Sequence, residues 1–387
     1  KLGTFDQNMS PRNLFEEVRR ATNPFEELGE GRRGGLNKLF MNRSAIKLAN
    51  MDALLGFPLT SRPCPSYQMD QLDSQPFTFL DLCGAPGGFS EYIMHRFNRE
   101  NPSGVCRGYG MSLLGSNEHG SGTGWKLDHM VSLDGGSNAH YRVSAGSDGT
   151  GDIYNWANVK DLASDIISDR YSDEVRTNND TNLFPGMEGL VDLVVSDGGF
   201  DAQRDSECQE ELAFKMIVCE TAAALTLLKR GGTFVLKMFG FRSKETRRLM
   251  RRLFLLFDKL VVVKPVLSRP ASAERYIVCF DYDGPPPDWN GLIWRDDLLQ
   301  YMDGNPTTHT EQTDGAIDGY ACLEEYLDQM DRDILALNVK ACFGILSTLE
   351  RKSRKARGQS NAGGDLPKKR SVHIPMYSKA WGLNTDD

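Results

Sequence analysis

The chain has few of the features that mark secreted proteins, membrane-spanning proteins or proteins with a structural metal site. Its eight cysteines are scattered singly, and no two have the two-residue spacing of a zinc site or redox motif, so we expect free thiols in a reducing compartment. No apolar run reaches the ~18 residues that span a bilayer, and no signal peptide is visible. The chain starts at Lys1 rather than Met, so we expect a fragment or a processed chain.

Basic charge is also lacking overall, since the net charge is −8. This excludes a histone-like protein that binds nucleic acid through total charge. It does not exclude RNA as a ligand, because attraction depends on local patches. One patch follows residue 237, where a predicted helix with one acid carries six cations, Arg242, Lys244, Arg247, Arg248, Arg251 and Arg252. Either a solvated helix face or a contact to the RNA backbone explains it.

The order of apolar segments indicates the fold. A length of 387 residues exceeds one typical domain of ~100–200. Between residues 78 and 281, short apolar runs alternate with helical patterns, which is typical of a parallel α/β sheet. The last two runs leave no room for a helix between them, so we expect one antiparallel edge strand. The predicted strands are 78–82, 104–110, 191–196, 232–238, 259–264 and 275–281, with one more strand and a helix near 159–167 inside the glycine-rich stretch 112–190.

Four segments are predicted along the chain. A polar N-terminal extension covers 1–36, the α/β domain covers 37–283, a helical extension covers 284–350, and a basic flexible tail covers 351–387. The tail is a candidate nuclear import signal, although RNA binding explains such a composition equally well.

A glycine-rich turn follows the first predicted strand. Asp81 closes the strand, and the turn continues as Cys83-Gly84-Ala85-Pro86-Gly87-Gly88-Phe89-Ser90. Glycine allows close approach of a ligand, and the helix start offers free amides and a positive dipole end. A dinucleotide or S-adenosylmethionine (AdoMet) fits such a turn, but the glycine triplet of dinucleotide sites is missing. Asp152 and Ile153 are candidates for holding the adenine, although Asp152 equally fits an ordinary turn.

Four charged residues form a candidate reaction site, namely Lys47, Asp197, Lys237 and Glu274. Methyl transfer from a sulfonium is an in-line displacement that requires no metal, only alignment of the hydroxyl and removal of its proton. A lysine acts as base only if its pKa falls towards neutrality, and Asp197 opposes that fall for Lys237. Whether Lys237 is a base or steers the oxygen electrostatically is left open by the sequence. Taken singly, each residue also fits an ordinary surface or strand-edge charge.

Several motifs together resemble the ribose 2′-O-methyltransferases related to the bacterial heat-shock rRNA enzyme. They are Asn42-Arg43-Ser44-Ala45-Ile46-Lys47, Gly84-Ala85-Pro86-Gly87-Gly88-Phe89-Ser90, Asp197-Gly198-Gly199-Phe200 and Arg269-Pro270 through Glu274-Arg275-Tyr276. Within that family, the eukaryotic mRNA cap-1 enzymes are the most similar subgroup. The resemblance covers about residues 10–282 and implies a Rossmann-like AdoMet-dependent methyltransferase fold, with Lys47, Asp197, Lys237 and Glu274 as the catalytic tetrad.

The resemblance also implies binding residues. AdoMet contacts are expected from Asn42, from residues 83–90 and from Asp152 with Ile153. Contacts to a capped mRNA 5′ end are expected from Arg19 and from Glu207, Cys208 and Gln209. Phe5 matches a residue that stacks on the cap guanine. Ser272 stands where relatives carry an asparagine that touches substrate.

The predicted activity is therefore methylation of the ribose 2′-hydroxyl of the first transcribed nucleotide of capped mRNA, in the nucleus or the cytoplasm. A ribose methyltransferase for rRNA, tRNA or the second cap nucleotide is the nearest alternative. A catalytically silent cap-binding subunit is a third reading, which the complete tetrad disfavours. A nicotinamide enzyme is disfavoured by the glycine spacing.

Overall fold

The computed structural model describes residues 11–23, 25–29, 39–61, 76–114, 124–131, 139–170, 189–199, 208–286, 289–302, 320–356 and 374–383. Its strands are β1 (Phe77–Leu82), β2 (Cys106–Met111), β3 (Ala139–Val143), β4 (Val191–Ser196), β5 (Leu228–Met238), β6 (Phe257–Val263) and β7 (Arg275–Tyr282). Its α-helices are α1 (Pro11–Thr22), α2 (Arg43–Leu54), α3 (Gly88–Glu100), α4 (Leu127–Val131), α5 (Trp156–Arg170), α6 (Gln209–Leu227), α7 (Lys244–Leu256), α8 (Gly291–Met302), α9 (Tyr320–Ala356) and α10 (Ile374–Ala380).

The strands form one seven-stranded sheet in the order β3-β2-β1-β4-β5-β7-β6. The β1, β2, β3, β4 and β5 ladder is parallel. Among the described strands, β7 alone runs antiparallel to its neighbours β5 and β6. The predicted Rossmann-like α/β class is confirmed, and the antiparallel strand lies one position in from the edge. Strands β5 and β6 run in the same direction and are not adjacent. Strand β7, which follows β6 in the chain, runs back between them and pairs with both.

Helices cover both faces of the sheet. One core cluster contains α2 and α3 side chains such as Ile46 and Tyr92, and the other contains side chains of α5, α6 and α7 such as Val159 and Leu249. Every residue of β1 is buried in consequence. This explains why the central strands read as continuous apolar runs instead of alternating ones.

The basic helix α7 packs against acidic residues of the helical extension. Arg247 pairs with Glu324 and Asp328 of α9, and Arg251 pairs with Glu324 at 2.9 Å. On α8, Asp297 pairs with two further arginines of α7, Arg248 and Arg252. These pairs favour a structural role for the four arginines, in which their charges hold α8 and α9 against the sheet domain, while a contact of α7 to the RNA backbone stays a prediction.

The segment from residue 351 onward is partly helical. Arg351–Ala356 complete α9, and Ile374–Ala380 form α10, after which Trp381 and Leu383 are buried in the core on the α3 side. These stretches are helical and do not have the irregular structure that we expected of a flexible tail. No helix among the described residues is long and apolar enough to cross a membrane. The seven cysteines of the described part are free thiols, as predicted for them.

Candidate active site at the carboxyl edge of the sheet

Sheet topology brings three of the four candidate residues to one edge. Asp197 follows the carboxyl end of β4, and Lys237 is the last residue but one of β5. Because β7 is antiparallel to β5, its first residues lie at the same edge, with Tyr276 opposite Lys237. Glu274, immediately before β7, therefore lies beside them. Open α/β sheets bind their ligands at this edge.

Helix α2 supplies the fourth residue. Its N-cap is Asn42, whose side chain accepts hydrogen bonds from the backbone amides of Ser44 and Ala45. One turn further along, Lys47 Nζ lies 2.8 Å from Glu274 Oε1. Lys237 Nζ lies 3.2 Å from Asp197 Oδ1 and 3.9 Å from Glu274 Oε2. The structure thus brings all four predicted residues into one cluster of alternating charges.

Two residues that sequence reasoning did not select hold Asp197 in position. The Tyr276 hydroxyl donates to Asp197 Oδ1 at 2.6 Å, and the Ser44 hydroxyl donates to Oδ2 at 2.9 Å. Burial would raise the pKa of Asp197, but the ammonium groups of Lys237 and Lys47 together with these hydrogen bonds lower it to about 2. Asp197 is therefore an anion in a fixed orientation at neutral pH.

Lys237 is an ammonium ion in this arrangement. Burial would lower the pKa of Lys237, but the carboxylates of Asp197 and Glu274 raise it above its ordinary value. In the same way, burial would raise the pKa of Glu274, yet Lys47 and Lys237 lower it. An ammonium cannot accept a proton, so in the ligand-free protein Lys237 is suited to donate a hydrogen bond to an oxygen.

Lys264 holds the loop that carries Glu274, and its role was also missed at the sequence level. Its ammonium donates to the hydroxyl of Ser268 at 3.2 Å and to the backbone carbonyls of Ser272 and Glu274, both at 2.8 Å. Burial lowers the pKa of Lys264 to about 8. No sequence pattern marks this lysine, because its three partners meet only when the loop folds back on β6.

The glycine turn is shaped by close approaches that only glycine permits. A Cβ at Gly84 would lie 1.9 Å from Asp81 Oδ1, and one at Gly88 would lie 2.1 Å from Asn42 Oδ1. Gly87 has a φ of 108°, in the left-handed region. The N-cap of α2 therefore packs directly on the start of α3. Asn42 and the glycine turn are thus in direct contact, and their shared role in holding a cofactor stays a prediction.

Two buried carboxyl groups lie beneath this surface. Burial raises the pKa of Asp81 to about 7 and that of Glu220 to about 8. The Ser90 hydroxyl donates to Asp81 Oδ2 at 2.6 Å, whereas Asp81 Oδ1 and both Glu220 oxygens have no hydrogen-bond partner among the described groups. Buried carboxyls in this state suit a ligand that brings positive charge.

The loop with Asp152 and Ile153 lies at the end of β2, next to the glycine turn. Gly151 packs against the carbonyl of Ser112, and Leu114 donates its backbone N–H to the Thr150 carbonyl at 2.7 Å. Asp152 itself accepts from the backbone N–H of Tyr154 at 2.9 Å, the bond of an ordinary Asx turn. The position of Asp152 at the end of β2 is compatible with a contact to the adenine of the cofactor, and that contact stays a prediction.

A groove of about 620 Å³ opens from the tetrad towards α1 and α9. Its lining includes Lys47 and Glu274 and the predicted substrate residues Arg19 and Ser272. Ser272 also orients Glu274, because its hydroxyl accepts from the Glu274 backbone N–H at 3.2 Å. Of the other predicted contacts, Cys208 and Gln209 begin α6 and are not part of the lining that the described residues form, while Phe5 and Glu207 lie outside the described residues.

Comparison with known proteins decides the family. The sequence model of the FtsJ-like methyltransferases matches residues 40–282, which contain the tetrad, the glycine turn and the whole sheet. The chain belongs to this family. The FtsJ-like assignment agrees with the resemblance read from the four motifs.

Two named relatives and one solved structure are similar to parts of the chain. The chain is 32% identical over 271 residues to "Cap-specific mRNA (nucleoside-2'-O-)-methyltransferase 1" of Mus musculus, covering 68% of this chain and 28% of the relative. It is 29% identical over 267 residues to the protein of the same name in Drosophila melanogaster, covering 69% and 29%. The matches thus span less than a third of these relatives. Among solved structures, human methyltransferase-like protein 13 in complex with SAH has a TM-score of 0.31 at 14% identity, covering 70% of this chain and 98% of that one.

AdoMet is the methyl donor of FtsJ-like methyltransferases, and the residues present here fit it. The turn 83–90 lies at the carboxyl end of β1 and the start of α3, and its glycines bring Asn42 and Asp81 directly against the turn. The unpartnered oxygens of Asp81 and Glu220 suit a cofactor with a positive charge. When bound, AdoMet supplies an electrophilic methyl group on a sulfonium.

Proposed function

We propose that this FtsJ-like chain methylates the ribose 2′-hydroxyl of the first transcribed nucleotide of capped mRNA. The observation that carries the proposal is the assembled tetrad, in which Lys237 Nζ lies 3.2 Å from Asp197 and Lys47 Nζ lies 2.8 Å from Glu274. Lys47 and Glu274 of this cluster line a groove that also contains three arginines, Arg19, Arg43 and Arg269.

In the proposed reaction, this chain's own residues align the hydroxyl and stabilise charge. The Lys237 ammonium donates a hydrogen bond to the 2′-oxygen and holds a lone pair towards the methyl group. Asp197 keeps Lys237 oriented, and Tyr276 keeps Asp197 oriented. Transfer forms an O–CH₃ bond and breaks an S–CH₃ bond, and the hydroxyl proton leaves to solvent or to Lys237 after that residue has released its own proton.

Charge in the groove supports RNA as the substrate class. Among the described residues, the lining contains four cations, Arg19, Arg43, Arg269 and Lys47, and the acid Glu274, while Glu26 pairs with Arg43 and Arg269. A net positive groove attracts a phosphate backbone although the whole protein is acidic. The names of the mouse and fly relatives support the cap as the particular target, and that step belongs to the proposal.

The deciding experiment uses radiolabelled AdoMet and two short RNAs of one sequence, capped and uncapped, followed by digestion to nucleotides. We expect label on the ribose of the first nucleotide of the capped RNA alone. Equal labelling of both RNAs, or label on an internal ribose, would favour an rRNA or tRNA enzyme. Label on the second nucleotide would identify a cap-2 enzyme. No label with any RNA, together with cap binding, would indicate a silent subunit.

We also propose a nuclear location. Its support is the basic segment from residue 351 onward, of which 357–373 lie outside the described residues. A fluorescent fusion of the chain should lose nuclear accumulation when Lys368, Lys369 and Arg370 are changed to alanine. Unchanged distribution of that variant would remove the support.

A further inference from the structure

The long helix α9 forms a wall of the substrate groove although it lies outside the family match. The FtsJ-like match ends at residue 282, and α9 spans Tyr320–Ala356. Three of its residues nevertheless line the groove that reaches the tetrad, namely Cys342, Ile345 and Leu346. The opposite side includes Phe15 and Arg19 of α1, which also precedes the matched region.

Several contacts hold α9 against the loop that carries Glu274. Asp331 pairs with Arg275, the first residue of β7. One turn of α9 beyond Ile334, the Asn338 side-chain amide faces the backbone carbonyls of Pro270 and Ser272. The catalytic loop and the α9 wall are thus joined side by side, so a ligand that touches one lies beside the other.

Helix α1 is attached to α9 by an apolar contact and an ion pair. Leu14 and Val18 of α1 pack with Ile345 of α9 in a small separate core. At the end of the contact, Lys352 Nζ lies 2.6 Å from Glu17. Burial of a few aliphatic side chains contributes roughly 1.5–3 kcal/mol each, enough to keep this pair of helices in register. The two helices therefore form one preformed clamp.

Apolar side chains of this clamp are exposed to water where the groove is open. Leu346 is 60% exposed and Phe15 is 42% exposed, and both line the groove. Arginines lie beside them, with the Arg19 guanidinium 6.0 Å from the centre of the Phe15 ring. A flat apolar surface next to guanidinium groups matches a nucleotide, since a base stacks on the former and its phosphates contact the latter.

We propose that Phe15 and Leu346 hold a nucleobase of the RNA beside the nucleotide that is methylated, so that α1 and α9 determine how the RNA enters the site. The inference rests on the proposed function, because it takes RNA as the substrate. Arg19 and Arg269 contact the phosphates next to that base. These two helices add a specificity element to a catalytic domain that ends before them.

The test compares Leu346→Glu with Leu337→Glu in the full chain. Leu337 is on the same helix and is 50% exposed, but it is not among the residues that line the groove. Fluorescence anisotropy with a labelled capped RNA should show affinity about tenfold or more weaker for Leu346→Glu, because a base contact is lost and a carboxylate faces the phosphates. Phe15→Ala should weaken binding to a similar extent. Leu337→Glu should bind as the wild type does.

Further measurements separate the possible outcomes. AdoMet affinity and melting temperature should stay unchanged in all three variants, so that a loss of RNA binding is not a loss of folding. A defect confined to capped RNA assigns the clamp to the cap guanine, and an equal defect on uncapped RNA assigns it to a base of the chain. If Leu346→Glu binds RNA as tightly as Leu337→Glu does, and the wild type methylates RNA, the inference is wrong and the proposed function stands. A wild type that neither binds nor methylates RNA would instead overturn the proposed function.

Discussion

Glu274 and Lys47 form a 2.8 Å ion pair that joins helix α2 to the start of strand β7. The same carboxylate lies 3.9 Å from Lys237, so one acid contacts both lysines of the site. Without it, two buried ammonium groups would repel each other. Glu274 thus positions both cations while lowering the cost of placing them together.

Loss of the Lys237 ammonium should stop the reaction without removing the cofactor. In Lys237→Ala we expect methyl transfer to fall by at least a thousandfold, because the variant lacks the ammonium group beside Asp197 that donates to the 2′-oxygen in the proposed reaction. AdoMet affinity by calorimetry should change less than threefold, since the glycine turn is untouched. Lys259→Ala is the control, because Lys259 is an exposed lysine of β6, which β7 separates from β5. Turnover of Lys237→Ala near the wild-type rate would contradict the tetrad mechanism.

Tyr276 should matter through Asp197. The change Tyr276→Phe removes a 2.6 Å hydrogen bond to a buried anion, worth about 1.5–3 kcal/mol. We expect kcat to fall about 10- to 100-fold with little change in AdoMet affinity, and to fall further when Ser44→Ala is added.

Tyr282→Phe is the matched control for that experiment. It lies on the same strand and also loses a buried hydrogen bond, to the Leu225 carbonyl at 2.9 Å, but far from the tetrad. It should lower the melting temperature and leave kcat intact. Equal kcat losses in both variants would show that Tyr276 acts through general stability instead of through Asp197.

The arginines of α7 should contribute to stability and not to RNA binding. Arg247→Ala removes contacts to Glu324, Asp328 and the Phe241 carbonyl. Its melting temperature should fall by a few degrees, as expected for a loss of about 1–2 kcal/mol in a chain of this size. RNA affinity by anisotropy should stay within twofold of wild type. Weaker RNA binding with an unchanged melting temperature would favour the RNA-facing interpretation.

The ion pairs of α7 could not be predicted from the sequence, whereas most of the sheet could. The strands of the sheet were predictable because central strands, buried on both faces, appear as short apolar runs. The pairing of Arg247 with Glu324 was not, because the two residues are far apart in the chain and nothing local links them. A run of cations looks the same whether acids of another helix or phosphates will face it.

The same distinction holds within the site. Asp197, Lys237 and Glu274 follow from motif and topology, since strand ends meet at one edge of the sheet. Tyr276 was part of a recognised segment, but its bond to Asp197 depends on the register that sets Tyr276 opposite Lys237. The contribution of α9 to the groove could not be predicted from the sequence, because the helical extension carries no family motif and its docking depends on Arg275 and Asn338.

Glu220 should make the ligand-free protein less stable as the pH rises. Burial raises its pKa from 4.5 to about 8 in the folded state, so the folded chain holds a proton that the unfolded chain has already lost. Between about pH 4.5 and 8 each unit therefore removes up to about 1.4 kcal/mol of stability. The charged and titratable groups that influence it are Cys83, Asp197 and Lys237, of which Cys83 and Lys237 favour its ionised form and Asp197 opposes it.

Glu220→Gln should remove this pH dependence, since an amide of similar shape does not titrate. We expect the variant to melt at a higher temperature than wild type at pH 8, by several degrees, and the difference to shrink or vanish at pH 5. Glu211→Gln, at an exposed position in the first turn of α6, controls for loss of an acid from the same helix. Asp81 titrates in the same direction in both proteins, so the difference between them isolates Glu220. A shift of equal size at both pH values would mean that Glu220 acts by packing, and a lower melting temperature at pH 8 would mean that its carboxylate has a stabilising partner.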